Sequence, residues 1–131
     1  MTRVIDASVL VAAVVDVGPT GRWAESMLSG EPLAAPHLMP VEAANVLRRS
    51  AAAGLISADA ANLAHVDLTA LRVELFPYGP LAERVWSLRH NLTSYDAWYV
   101  ALAESLDADL VTLDHRLGAA PGPICRIVSA P

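Results

Sequence analysis

Apolar positions along the chain recur with two spacings. Short, nearly continuous apolar runs bounded by turn residues predict five strands: "RVI" at 3–5, "PLAAP" at 32–36, "VELFPY" at 73–78, "DLVTL" at 109–113 and "CRIVS" at 125–129. Between them, apolar residues follow helical patterns over 8–15, 20–29, 40–53, 58–71, 81–90 and 95–107. Strands alternating with helices predict an α/β fold, with a short central parallel sheet of about five strands flanked by helices. The strands are too few and too short for a large doubly wound sheet.

Turn-forming residues punctuate this pattern. Gly18-Pro19, Gly30, Gly54, Gly79-Pro80 and the run Gly118 to Pro123 mark breaks. Pro40 suits a first helical turn and Gly54 follows a last one, which brackets the helix at 40–53. With 58–71 it predicts a helical hairpin, a natural lip or docking surface. No repeat, low-complexity tract or linker interrupts the 131 residues, so residues 1–131 read as one domain.

Composition sharpens this reading. Apolar residues make up 54% and aromatics only 5%, so the core must be built from Ala, Val and Leu, and a buried homodimer interface would absorb the apolar excess. A net charge of −5 argues against a generic polyanion binder held by a basic field. All nine cations are Arg, which excludes a P-loop lysine, a Schiff base and a lysine beside a phosphoacceptor aspartate. Arg remains suited to bidentate phosphate contacts. The single cysteine, Cys125, excludes an internal disulfide and a Cys-rich zinc site, and reads as a small buried thiol. The apolar run from Ser8 to Val15 is short, with only Arg3 before it and Asp6 at its entrance. It is expected to be the first helix of a cytoplasmic protein rather than a leader. No apolar run approaches the roughly twenty residues that span a bilayer.

Candidate chemistry lies in four acids. Asp6 follows the first strand, Glu42 lies in the first turn set by Pro40, Asp96 opens the helix "YDAWYVALAESL", and Asp114 ends the strand "DLVTLD". Each alone fits an ordinary role at a helix N-terminus, where free N–H groups and the helix dipole favour negative charge. In a parallel α/β sheet, however, the carboxyl ends of the strands share one edge, and the following helices begin there. All four acids can therefore converge. Two unit charges about 5 Å apart repel by roughly 3 kcal/mol at an effective dielectric of 20. Such a group either binds protons at raised pKa or holds a cation. Oxygen ligands without clustered His or Cys favour Mg²⁺, with Mn²⁺ as substitute. In phosphodiester hydrolysis a carboxylate-held Mg²⁺ activates a water and offsets transition-state charge.

The ordered set "VIDASVL", "PVEAANVLRR", "YDAWYVALAE" and "LVTLDHRL", spanning nearly the whole chain, resembles the PIN-domain ribonucleases and, more narrowly, the VapC toxins of bacterial toxin–antitoxin pairs. The resemblance implies a PIN-like fold and a Mg²⁺-dependent endoribonuclease. It also implies a homodimer neutralised by a cognate VapB-like antitoxin. The family's acidic quartet falls on Asp6, Glu42, Asp96 and Asp114. Its direct metal ligands fall on Asp6 and Asp96, with Glu42 and Asp114 acting directly or through water. Its auxiliary hydroxyls fall on Ser8 and Thr112.

Other residues take supporting places. Arg49 shares a helix face with Glu42 and Asn45, and Arg116 lies two residues beyond Asp114, so both are candidate RNA-phosphate contacts. Arg84 and Arg89 are expected to face solvent, and Trp98 and Tyr99 to pack in the core or a dimer interface. Tyr95 borders Asp96, where a base could stack. His37, His65, His90 and His115 lack metal-ligand spacing, and most of them are expected at the surface. Two alternatives stay open from sequence: another metal-dependent phosphohydrolase or phosphotransferase acting through Asp6, and an inactive PIN-like binding module. "DAS" lacks a second aspartate two positions on, which weighs against the phosphotransferase.

Overall fold

The computed structural model describes all 131 residues. Five strands, β1 (Arg3–Ile5), β2 (Leu33–Pro36), β3 (Glu74–Phe76), β4 (Asp109–Val111) and β5 (Ile127–Val128), form one sheet in the order β3-β2-β1-β4-β5. Every pairing is parallel, with Val4 opposite Ala34 on one side and Leu110 on the other. Helices α1 (Ala7–Val15), α2 (Pro19–Met27), α3 (Met39–Ala52), α4 (Ala58–Ala70), α5 (Ala82–Ser87), α6 (Ser94–Ser105) and α7 (His115–Ala119) connect them.

All five strands stand where the apolar runs predict them, and each of the six predicted helices forms. Ends differ. The strands "VELFPY", "DLVTL" and "CRIVS" shorten to two or three paired residues, and Cys125 falls outside β5. The helix expected over 81–90 is only α5, because Pro80 sits in a single 3-10 turn at Gly79–Leu81 and the chain turns again after Leu88. α7 was not predicted. The expected strand end at Asp114 is instead a helix N-cap: its side chain accepts from the Arg116 N–H. Five residues are too few to display a helical period.

The core is aliphatic. Val4, Ile5, Leu110 and Val111 of the central strands are fully covered, and α1 adds Val9 and Leu10. Helix α6 is buried on several sides, with Ala97 and the whole run from Tyr99 to Ala103 inside. Alanines at 97, 101 and 103 let it lie close to β1, β2 and β4. Two glycines permit the tight joints. A Cβ on Gly21 would fall 1.7 Å from the Asp16 carbonyl oxygen, so α2 can leave α1 only without one. Gly54, at φ +74°, turns α3 into α4 and forms the predicted hairpin.

This topology creates a switch point. From β1 the chain moves outward to β2 and then β3, whereas β4 and β5 lie on the other side of β1. The direction of strand addition therefore reverses between β1 and β4, and the carboxyl ends at such a reversal are the place where open α/β sheets bind ligands.

Candidate active site

Each of the four acids begins or immediately enters a helix at this edge. Asp6 is the N-cap of α1, accepting from the Val9 N–H at 3.2 Å. Glu42 lies in the first turn of α3. Asp96 lies in the first turn of α6, where its N–H meets the Thr93 hydroxyl at 3.2 Å. Asp114 caps α7. α3 follows β2, and α6 runs back to feed β4, so both start on the same edge as α1 and α7.

Asp6 is held from both sides. Ser8 donates its hydroxyl to Oδ1 at 2.5 Å, and Thr112 donates its hydroxyl to Oδ2. Each hydroxyl also receives a backbone N–H from the segment beyond β4: Leu113 to Ser8 at 3.1 Å, and Asp114 to Thr112 at 3.0 Å. Two parallel relays thus tie the Asp6 carboxylate to the backbone carrying Asp114. Thr112 is the one polar residue that is fully buried, at 0% exposure. Its side chain is a strut between two site carboxylates, not merely a strand residue. Each carboxylate oxygen can accept more than one interaction, so the relays leave Asp6 able to ligate.

The charges feel one another. Desolvation pushes the Asp6 carboxyl above its ordinary pKa, against the opposing hydrogen bonds from Ser8 and Thr112. Desolvation also raises Glu42, and repulsion from Asp96 and Asp6 adds to it. Asp96 is raised by desolvation and by Asp114. Asp114 alone is lowered, because Arg116 hydrogen-bonds it. Three acids on one edge with raised pKa values, coupled in the chain Asp6–Glu42–Asp96–Asp114, are the electrostatic state expected of a site built to hold positive charge. They line an edge rather than a closed cage: no three acidic, His or Cys side chains stand close enough together to share an ion as they lie. An all-oxygen, anionic donor set suits a hard divalent cation.

Tyr99 is the site residue that the sequence pattern misses. It packs in the core as expected, yet its hydroxyl donates to Glu42 Oε1 at 2.8 Å. Its spacing of three from Asp96 places both on one face of α6 and is the only local signal of that role. Thr93, the N-cap that positions Asp96, is also absent from the sequence candidates.

The predicted arginines separate. Arg116 is highly exposed and pairs with Asp114 at 3.2 Å, beside a cleft of about 230 Å³ lined by Asn91, Thr93, Asp96 and Leu117 among others. Arg49 is exposed in the last turn of α3, two turns from Glu42. Asn45 is occupied by Arg48. Arg89 faces solvent over the Trp86 ring as expected, whereas Arg84 is only partly exposed. It grips Glu104 through two hydrogen bonds of 2.7 and 3.1 Å and also reaches the Gly122 carbonyl, because α5 lays it against the end of α6. Trp98 packs edge-on to Tyr78 with centroids 5.5 Å apart, and Tyr95 is exposed beside Asp96. All four histidines are exposed. Cys125 is half-buried in a separate cleft of about 180 Å³ at the amino ends of the strands, where desolvation raises its thiol pKa. No helix is long and apolar enough to cross a membrane.

A PIN-domain family model matches residues 3–123. Ribonuclease VapC1 of Mycobacterium tuberculosis is 42% identical over 125 residues, 95% of this chain and 94% of that protein. The crystal structure of PAE2754 from Pyrobaculum aerophilum superposes with a TM-score of 0.73 at 29% identity, covering 97% of this chain and 83% of that one. The structure of VapBC2 from Rickettsia felis, bound to a DNA fragment from their promoter, contains a chain of the same fold, with a TM-score of 0.69 at 14% identity over 98% of each chain.

Proposed function

The chain belongs to the PIN-domain family, in its VapC-type branch, and from that premise we propose that it is a Mg²⁺-dependent endoribonuclease acting as the toxin of a toxin–antitoxin pair. The observation that carries this reading is the row of Asp6, Glu42, Asp96 and Asp114 at the switch point, three of them with raised pKa values. A neutral or singly charged ligand would not offset that much clustered anionic charge, and RNA alone would be repelled by it.

Asp6 and Asp96 would hold the cation directly, with Glu42 and Asp114 completing its surroundings or orienting water. Bound there, Mg²⁺ would supply Lewis-acid stabilisation of charge on the scissile phosphate and an acidified water as nucleophile. The protein's own part is positional. Ser8 and Thr112 prevent the Asp6 carboxylate from rotating, and the Thr93 cap fixes Asp96 at the start of α6 on the same edge. Arg116, exposed at the rim, would exchange its Asp114 partner for an RNA phosphate.

The partner reading rests on the relatives and on exposed apolar surface. Val41, Leu55, Leu63 and Val66 on the α3–α4 hairpin are each more than half exposed. These residues suit a VapB-like antitoxin segment with apolar anchors, or the second subunit of a homodimer. An antitoxin Arg entering the acidic edge would inhibit by replacing the cation.

Incubation of purified protein with RNA in Mg²⁺ or Mn²⁺ tests the enzymatic reading. Cleavage is expected with either ion and lost in Asp6→Asn and Asp96→Asn. Undiminished cleavage in excess EDTA refutes it.

A further inference from the structure

We propose that Tyr99 is a positioning residue for Glu42, fixing its carboxylate for cation binding; this rests on the four-acid reading of the site. Tyr99 is the one aromatic residue in the fully buried core, at 4% exposure, and Phe would fill the same volume. What Phe lacks is the hydroxyl, and that hydroxyl is aimed at Glu42 Oε1, 2.8 Å away on a different helix.

Glu42 needs such a partner. It lies in the first turn of α3 with three rotatable side-chain bonds, and no ion pair or other side-chain hydrogen bond holds it. Asp6 has Ser8 and Thr112, and Asp114 has Arg116. Without Tyr99, repulsion from Asp6 and Asp96 would turn the Glu42 carboxylate outward toward water. The tyrosine counters this from below. Its ring is locked by the packing of α6 against the sheet, so the hydroxyl occupies a fixed point. The carboxylate can only accept, so the phenol is the donor in this bond. One buried hydroxyl thus references Glu42 to the helix that carries Asp96.

Partners one step removed from a metal commonly set affinity by ten- to a hundredfold. Calorimetric titration of the full chain with Mn²⁺ therefore compares wild type with Tyr99→Phe. The expected result is an ion Kd raised about tenfold, with the thermal midpoint nearly unchanged. In RNA cleavage the Mg²⁺ concentration for half-maximal rate rises by a similar factor, while KM for RNA stays constant. Glu42→Asp withdraws the carboxylate from Tyr99 with the core untouched, and in that background Tyr99→Phe adds nothing further. An unchanged Kd in Tyr99→Phe, or equal losses in both backgrounds, overturns the proposal while leaving the catalytic reading intact. Absence of Mn²⁺ binding by wild type overturns both.

Discussion

Thr112 and Asp6, 106 residues apart in sequence, are joined side chain to side chain, and the same Thr112 hydroxyl accepts the Asp114 N–H. A single buried oxygen therefore sets the relation between the acid that follows β1 and the acid that caps α7.

Thr112→Val keeps the shape of the side chain and removes that oxygen. Leaving a buried N–H unpaired costs about 1–3 kcal/mol, so the thermal midpoint falls by several degrees. Cleavage activity drops at the same time, because Asp6 and Asp114 lose their common reference. Thr112→Ser restores most of both. Differential scanning calorimetry beside an RNA cleavage assay checks the pair of effects, and a valine variant with wild-type activity contradicts them.

Asp6 makes stability depend on pH in a direction opposite to that of a salt-bridged acid. Its folded pKa is raised, so the native state binds a proton more readily than the unfolded chain. Its contribution is most favourable below the unfolded value near 4 and is lost as pH rises through the raised folded pKa. In EDTA, Asp6→Asn is expected to melt higher than wild type at pH 7.5, with the difference vanishing toward pH 4. Glu42 and Asp96 act in the same sense. Thermal melts across that range test the sign.

Arg116→Ala separates binding from folding. The side chain is exposed, so its ion pair with Asp114 contributes little to the fold and the melting temperature stays constant. RNA affinity falls, and the slope of log K against log salt shrinks by about 0.7 if one single-strand phosphate contact is lost. A salt titration of RNA binding in Ca²⁺, with an unchanged slope, would remove Arg116 from the interface.

Glu104 is the counterexample of an acid that serves the fold. Burial alone would raise its pKa, but hydrogen bonds from Arg84 and from the Ile124 N–H bring it below the ordinary value. Glu104→Ala frees α5 and the 122–124 segment from the end of α6, costing about 1–3 kcal/mol. Cleavage per folded molecule is unchanged, because this cluster lies at the far end of α6 from Asp96. Comparing urea midpoints with specific activity distinguishes the two consequences.

The local pattern of the chain determined the five strands, the six longer helices and the placing of four acids at strand ends or helix starts on one edge. Those features are written within a few residues of each other: apolar period, Pro40, Gly54, and an acid after a short apolar run. The ordered motifs also carried the family resemblance. What only the tertiary structure decided are the links between segments. Tyr99 meets Glu42 across 57 residues, Leu113 meets Ser8 across 105, and Arg84 meets Glu104 across 20. No periodicity encodes such contacts, because they arise when separate helices pack on a common sheet and a hydroxyl or guanidinium must find its partner there. The same reason hid α7. Asp114 reads as the end of a strand until the sheet stops at Val111 and its carboxylate turns back to cap the following turn.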